Sequence, residues 1–200
     1  MIGNDVVDLQ VAARESNWRR KGFLEKIFSE AEQEIITTSR DQDKIVWLLW
    51  SMKEAAYKAH QREFNLPPRL NWLLQECRLQ EVNSQEASGE VNINGKVYYT
   101  TSKTTSDYIY TSAEKVKGSG AENAIFKAPS SEAKKALIKR VAELRNLEEQ
   151  RLQLQKDAFG MPFLTLNNTS IFNQFSLSGH GRFSAYILSL INCETQVKQS

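Results

Sequence analysis

The chain has 200 residues, enough to form one domain with a buried core. Apolar residues make up 40% of it and charged residues 25%, which excludes a disordered or fibrous chain. The formal net charge of +2 is too small for a nucleic-acid-binding surface, so no nucleic-acid partner is expected.

Membrane and secretory segments are not expected either. No stretch approaches the ~20 apolar residues of a membrane span, and no basic region followed by an apolar run is present near Met1. The two cysteines, Cys77 and Cys193, are far apart and lack the spacing of metal ligands, which favours reduced thiols in a reducing compartment. The sequence therefore predicts a cytoplasmic protein.

The first third of the chain contains one predicted strand and two predicted helices. Local patterns predict a strand over Ile2 to Leu9 and a helix from about Phe23 to Thr37. The strongest helical pattern extends from Lys44 to about Gln61 and cannot continue through Pro67. Its apolar residues recur at threes and fours and predict one buried stripe, formed by Ile45, Leu48, Leu49, Met52, Ala55, Ala56 and Ala59.

Between Leu79 and Thr111 the pattern changes to the alternation that is typical of β-strands. Asn94 and Gly95 separate two such runs, and this pair suits a tight hairpin turn. The segment is therefore predicted to form part of a sheet.

The last third begins with a predicted helix, which Ser130 or Ser131 would cap and which would extend to about Lys156. Two strands are predicted over 171–178 and 183–191. Strands and helices thus come in mixed blocks, which indicates the α+β class.

One face of the long helix combines two large aromatic residues with a carboxylate and an ammonium. At ~100° per residue this face lies opposite the apolar stripe and consists of Trp47, Trp50, Ser51, Glu54, Lys58 and Gln61. Such aromatic residues are unusual on a solvent-exposed face. A Glu-to-Lys pair four residues apart is, however, common on surface helices and worth only a few tenths of a kcal/mol. The pattern alone therefore does not decide between a functional site and an ordinary surface ion pair.

Asp5 lies in the first predicted strand, where it points the same way as Gly3 and Val7, towards apolar surroundings. A buried carboxylate requires a cation, hydrogen-bond donors or a proton. Magnesium needs only one or two protein carboxylates beside substrate phosphates, so Asp5 and Glu54 would meet that requirement. A turn or a helix cap explains Asp5 equally well at this point.

Five short motifs occur in order along nearly the whole chain. They are Gly3-Asn4-Asp5, Phe28-Ser29-Glu30-Ala31-Glu32, Trp50-Ser51-Met52-Lys53-Glu54-Ala55-Ala56-Tyr57-Lys58, Gly160-Met161-Pro162 and Phe175-Ser176-Leu177-Ser178. The series resembles the signature elements of 4′-phosphopantetheinyl transferases, and its order is similar to that of the single-module holo-acyl-carrier-protein synthases. The resemblance implies the α+β fold of that family in a single domain over 1–200, with a β-rich insertion around 79–128.

The resemblance also implies a reaction and a set of site residues. The reaction is the magnesium-dependent transfer of the 4′-phosphopantetheine group of coenzyme A to a serine of an apo carrier protein of fatty-acid, polyketide or peptide synthesis. Asp5 and Glu54 would hold the metal, and Lys58, Ser178 and His180 would contact coenzyme A. Glu54, directly or through a water, is the candidate base for the serine proton, with Lys58 as the second catalytic residue.

Two positions depart from the family pattern. Gly179 stands where the family shows histidine, and His180 follows one residue later. On a strand this shift turns a side chain to the other face unless a bulge restores its direction. Met161 stands where a lysine is common, so another basic residue would have to contact the phosphates.

The carrier partner expected from the resemblance is acidic, and a cluster of basic residues would suit it. The cluster consists of Arg14, Arg19, Arg20 and Lys21. An ordinary solvated helix face explains these residues equally well. The sequence indicates no particular oligomeric state.

Two other functions stay open at this point. One is a non-catalytic module that binds carrier proteins or coenzyme A, which Gly179 and Met161 favour. The other is a magnesium-dependent phosphoryl-transfer enzyme with another nucleotide substrate, against which the chain has no glycine-rich phosphate-binding loop.

Overall fold

The computed structural model of the protein describes residues 1–172 and 174–190. Within these ranges the chain forms five α-helices and eleven β-strands, and every strand pairing is antiparallel. This confirms the predicted α+β class with antiparallel sheets and a long helix. Asn173 and Ile191, which belong to the last two predicted strands, and Cys193 lie outside the described residues. No helix within them is both long and apolar enough to span a membrane.

The elements follow one another in a mixed order. The first part of the chain contains β1 (Ile2–Asp8), α1 (Leu9–Glu15), α2 (Phe23–Ile27), α3 (Glu30–Thr38) and α4 (Gln42–Phe64). Five strands follow, namely β2 (Gln75–Val82), β3 (Glu86–Ile93), β4 (Lys96–Thr104), β5 (Tyr108–Glu114) and β6 (Ala121–Phe126). The last part contains α5 (Ser130–Arg145), β7 (Leu152–Lys156), β8 (Pro162–Leu166), β9 (Thr169–Phe172), β10 (Phe175–His180) and β11 (Phe183–Ser189).

The largest sheet has the strand order β1-β5-β4-β3-β2, and α4 packs against it. Asp41 starts α4 by accepting a hydrogen bond from the Lys44 backbone at 3.0 Å, and Asn65 ends it in the left-handed conformation. All seven residues of the predicted apolar stripe are buried in this core. Burial of this stripe fixes which face of α4 lies on the sheet.

Close approach of β1 to α4 depends on Gly3. A Cβ atom at this position would overlap the backbone oxygen of Ala55. Only glycine lets the two backbones come this near, and small residues of the helix, Ala55 and Ala59, complete the contact. The approach places Asp5 of β1 beside the middle of α4.

Two smaller sheets, β10-β11-β6 and β7-β8-β9, form the other half of the molecule. Leu137 and Val141 of α5 are fully buried in the second core, together with Leu164 and Phe175. Strand β10 packs against β1, and the Asn4 side chain donates a hydrogen bond to Ser178 Oγ at 3.1 Å. The two halves therefore meet at the strand that carries Asp5.

The Asn94–Gly95 hairpin is confirmed. Ile93 pairs with Lys96, and both turn residues have positive φ, 50° and 77°. The segment 79–128 contributes strands to the largest sheet and to the β10-β11-β6 sheet. That it is an insertion in a single domain over 1–200 stays a prediction.

Two helix boundaries were predicted wrongly. The helix expected over 23–37 is divided between α2 and α3, because Ser29 forms a capping box with Glu32 and starts a new helix. The helix expected to reach Lys156 ends at Arg145, where Asn146 adopts a left-handed conformation. Neither Ser130 nor Ser131 caps this helix, since its N-cap is Pro129.

Much of the face of α4 opposite the apolar stripe is buried as well. Trp47, Ser51 and Gln61 are 5%, 0% and 9% exposed. Trp50 stacks on Phe23 of α2 at 6.2 Å and contacts Trp72 at 4.2 Å between ring centroids. The chain on either side of α4 thus covers this face.

Candidate active site

A cleft of about 240 Å³ opens between β1, α4 and the end of β10. Asp5, Glu54 and His180 line it, and Trp47 and Trp50 form part of its wall. The structure therefore brings three of the five predicted site residues to one opening, from segments that are far apart in the sequence.

Asp5 is 9% exposed, and the ammonium of Lys58 is the cation that stabilises this buried carboxylate. Lys58 Nζ lies 3.1 Å from Asp5 Oδ1 and also donates a hydrogen bond to the Asn4 carbonyl at 3.0 Å. The residues implied as metal ligand and phosphate contact are thus joined to each other. Lys58 itself borders a neighbouring depression beside Ser176 and Leu177.

Glu54 is half-buried, and burial raises the pKa of its carboxyl to about 7. The negative charge of Asp5 adds to this rise, while the ammonium of Lys58 opposes it. Two carboxylates and one ammonium leave a negative balance in the cleft, so a cation or a proton is favoured there.

His180 reaches the cleft without the bulge considered above. Strand β10 pairs regularly through Ser178–Ala185, Gly179–Ser184 and His180–Phe183, so His180 and Ser178 share one side of the strand. Its Nδ1 accepts a hydrogen bond from the Asp8 backbone at 2.9 Å. The neutral ring therefore carries its proton on Nε2, where it can donate to a ligand.

Ser178 lies two residues before His180 in β10 and is 8% exposed. Its Oγ accepts the hydrogen bond from Asn4 Nδ2. Ser178 does not line the cleft but a second groove, which lies between the start of α5 and strands β7, β8 and β10. The predicted coenzyme A ligands Lys58, Ser178 and His180 therefore border three depressions that adjoin along β10.

The contact between Asp8 and Arg182 was not predicted. The Asp8 carboxylate accepts hydrogen bonds from Arg182 Nε and Nη2, both at 2.8 Å, and from the backbone of Gln10 and Val11 at the start of α1. The Arg182 guanidinium holds the pKa of Asp8 well below its usual range. This contact fixes the turn that follows His180 against the end of β1.

Lys53 was also missed, although it lies inside the third motif. It is fully buried, and its Nζ lies 2.7 Å from Glu32 Oε2 and donates to the carbonyls of Ile27 and Trp72. Glu32 Oε1 accepts from the Cys77 backbone at 2.7 Å. Glu32 and Lys53 therefore link α2, α3, α4 and β2, which explains the second motif structurally.

Asp5 and Glu54 fit a magnesium ion in their chemistry. Magnesium favours oxygen ligands and retains several waters, so two carboxylates facing one cleft are sufficient. No group of three or more His, Cys, Asp or Glu suited to a metal occurs within 1–172 and 174–190. Asp5 and Glu54 offer only oxygen ligands, whereas zinc sites use mainly cysteine sulfur and histidine nitrogen.

One residue of the predicted basic cluster of Arg14, Arg19, Arg20 and Lys21 already has an acidic partner. Arg19 pairs with Asp43 at 2.9 Å, and its guanidinium covers the Trp18 ring. Arg14 lies in α1, Arg20 and Lys21 lie between α1 and α2, and all three are exposed. Their part in binding a carrier stays a prediction.

Comparison with known proteins identifies a family. Residues 1–113 match the family model described as the 4′-phosphopantetheinyl transferase superfamily. A comparison with curated protein sequences gives no match. Among solved structures, the chain is similar to the holo-[acyl-carrier-protein] synthase of Thermotoga maritima, with 13% identity, a TM-score of 0.39 and 82% of each chain covered.

Proposed function

The chain belongs to the 4′-phosphopantetheinyl transferase superfamily, and we propose that it is an enzyme of the holo-acyl-carrier-protein synthase type. It transfers the phosphopantetheine group of coenzyme A to a serine of an apo carrier protein, with magnesium. The observation that carries the proposal is the convergence of Asp5, Glu54 and His180 on one cleft, with Lys58 bonded to Asp5.

The reaction exchanges one bond to phosphorus for another. The serine Oγ bonds to the β-phosphorus of coenzyme A, and the bond from that phosphorus to the bridging oxygen breaks. Adenosine 3′,5′-bisphosphate leaves, and the serine proton must go to a base. The site therefore has to neutralise phosphate charge and accept one proton.

Asp5 and Glu54 would hold the magnesium ion, which supplies positive charge to the pyrophosphate oxygens when bound. Lys58 adds a second positive charge beside them once it moves from Asp5 towards a phosphate. His180 donates from Nε2, since its Nδ1 is held by the Asp8 backbone. These donors suit the charge of the leaving group.

Glu54 is the residue best suited to take the serine proton, directly or through a water. Burial raises its pKa to about 7 in the metal-free protein, and a cation bound beside it would lower this value and favour the carboxylate form that accepts a proton. Trp47 and Trp50 form an apolar wall on the same side, and such a wall limits water around the reacting groups.

The second candidate is a module of the same family that binds a carrier or coenzyme A without transfer. Met161 favours it, because a buried thioether replaces the lysine that the family usually has at this position. This candidate predicts binding of coenzyme A without any covalent product.

Intact-mass measurement of an apo carrier protein distinguishes the two. The carrier is incubated with coenzyme A, magnesium and the protein, and carriers of fatty-acid, polyketide and peptide synthesis are each tried. We expect one carrier to gain the mass of a single phosphopantetheine group. The matched controls are the Glu54→Gln enzyme and a carrier whose acceptor serine is alanine. Coenzyme A binding with no mass gain on any carrier would support the binding module instead.

A further inference from the structure

Asn4 lies beside Asp5 in the middle of the site, and the reaction steps described above give it no role. It is 0% exposed, although its side chain carries an amide. Its carbonyl accepts a hydrogen bond from Lys58 Nζ at 3.0 Å. Its backbone N–H donates to Ser176 Oγ at 3.3 Å, and its side-chain Nδ2 donates to Ser178 Oγ at 3.1 Å. One residue therefore contacts both the lysine of α4 and strand β10.

Strand β1 forms one edge of the largest sheet, so the N–H groups on its outer side have no neighbouring strand in that sheet. Side chains of β10 accept hydrogen bonds from them instead. Ser176 Oγ accepts from the Asn4 backbone, and His180 Nδ1 accepts from the Asp8 backbone at 2.9 Å. Ser176, Ser178 and His180 are two residues apart, so they lie on one face of β10. All three accept a hydrogen bond from β1.

These contacts decide which group the residues of this row have left for a ligand. A serine whose oxygen accepts from the protein still has its O–H to donate, and a neutral histidine whose Nδ1 accepts has its proton on Nε2. Neither Ser176 nor Ser178 donates to another residue within 1–172 and 174–190. The row is thus left with hydrogen-bond donors for the three depressions that it lines.

Stability does not explain the amide of Asn4. Its Oδ1 is buried and accepts no hydrogen bond from the part of the chain that the structure describes. Burying such an atom without a partner is unfavourable, and an apolar side chain would avoid this loss. An apolar side chain would, however, leave the Ser178 hydroxyl free to turn. The amide is therefore retained at the expense of stability, and its one side-chain contact is with Ser178.

The direction of the Ser178 hydroxyl matters for an anionic ligand. Phosphate oxygens are strong acceptors, and hydrogen bonds to charged groups are stronger than those between neutral groups. A serine that donates to a phosphate stabilises it, whereas a serine that presents its lone pairs repels it. Fixing the hydroxyl as a donor before the ligand arrives also avoids the entropy loss of ordering it on binding.

We infer that Asn4 is a positioning residue, which fixes the Ser178 hydroxyl as a hydrogen-bond donor to a phosphate of the substrate. The inference rests on the proposed function, because it takes coenzyme A as the ligand. It deepens that function by giving a role to a residue that acts through Ser178 and does not itself border the depressions.

A double-mutant cycle tests whether Asn4 acts through Ser178. Isothermal titration with magnesium present measures the Kd of coenzyme A for the wild type, Asn4→Ala, Ser178→Ala and the double variant. We expect Ser178→Ala to weaken binding roughly ten- to hundredfold, as the loss of a hydrogen bond to a charged group allows, and Asn4→Ala roughly three- to tenfold. The double variant should bind as Ser178→Ala does, because the amide then has no hydroxyl to position.

Two further variants separate this role from a loss of stability. Asn4→Thr, which suits a strand but is too short to reach Ser178, repeats the cycle if Asn4→Ala does not fold. The matched control is Tyr98→Phe, which removes a buried hydroxyl bonded to His60 and Glu63 away from the three depressions. It should lower the thermal unfolding temperature and leave the Kd unchanged. In the transfer assay, Asn4→Ala should raise the KM for coenzyme A but not that for the carrier.

The outcomes distinguish this inference from the proposed function. If the losses of the two single variants multiply in the double variant, Asn4 acts independently of Ser178 and the inference is wrong, even in a protein that still transfers phosphopantetheine. An unchanged Kd in Asn4→Ala, an equal loss in Tyr98→Phe, or failure of both Asn4 variants to fold would overturn it as well. Wild-type protein that neither binds coenzyme A nor transfers from it overturns the function and this inference together.

Discussion

Lys58 Nζ lies 3.1 Å from Asp5 Oδ1 and joins the first strand to the long helix at the base of the cleft. Glu54 is a second carboxylate beside this pair, and burial together with the negative charge of Asp5 raises its pKa, which Lys58 opposes only in part. One lysine therefore balances two carboxylates, and the cleft retains the charge that attracts a divalent ion.

Gly3 sets the distance between these groups, so a side chain there should be costly. In Gly3→Ala the new methyl group overlaps the Ala55 carbonyl, and we expect a loss of roughly 1–3 kcal/mol in the free energy of unfolding. Transfer activity should fall even in the protein that stays folded, because a shift of β1 displaces Asp5. Urea denaturation measures the first effect. Gly179→Ala, where φ is not positive and a new methyl group meets only ordinary contacts of 3.6 Å or more, is the control for stability, and equal stability of both variants would contradict the account.

Lys53 should be a structural rather than a catalytic residue. In Lys53→Met, Glu32 stays buried without its cation, which should cost about 3–5 kcal/mol. Replacing both partners, as Lys53→Met with Glu32→Gln, should restore part of this stability. The exposed Arg19–Asp43 pair is the comparison, since Arg19→Met should cost about 1 kcal/mol or less. A well-folded Lys53→Met protein with lost activity would instead indicate a direct role in the reaction.

Asp8 should stabilise the protein in a pH-dependent way. Its folded-state pKa lies below the ordinary value of 3.8, so the folded protein holds this proton less tightly than the unfolded chain. The contribution is present above that value and is lost as the pH falls below it. We expect Asp8→Asn to be less stable by roughly 1–3 kcal/mol at pH 7, with the difference from wild type shrinking below about pH 4. A difference that stays constant down to pH 2.5 in denaturant titrations would refute this.

Arg20 should contribute to recognition of an acidic carrier. Reversing it in Arg20→Glu, alone or with Arg19→Glu, should raise the KM for the carrier roughly tenfold at low salt and less at high salt. The KM for coenzyme A should not change. Lys139→Glu on α5 is the control of equal charge. Unchanged carrier kinetics at low salt would remove the basic cluster from the interface.

Local patterns in the sequence predicted those elements that local chemistry decides. The α4 stripe follows from helical spacing, and the β3–β4 hairpin follows from Asn94 and Gly95. The burial of the opposite face of α4 could not be predicted, because its covering comes from Phe23 and Trp72, which no local pattern connects to Trp50.

The site was predictable only where its residues belong to recognisable motifs. The motifs indicated Asp5, Glu54 and Lys58, which the fold brings together. Lys53 was overlooked because a lysine beside an apolar stripe appears solvent-exposed until its partner Glu32 is in place. The second groove, which Ser178 lines, could not be predicted, since its walls come from α5, β7, β8 and β10, and only the tertiary structure joins them.

Magnesium binding in the presence of coenzyme A tests the central claim most directly. Isothermal titration of the wild-type protein should give one ion per chain, and Asp5→Asn and Glu54→Gln should each abolish that binding while the proteins stay folded. Asp43→Asn, which removes an exposed carboxylate outside the cleft, should bind the ion as wild type does. If Asp5→Asn and Glu54→Gln both bind magnesium with wild-type affinity, these two carboxylates do not hold the metal and the proposed site is wrong.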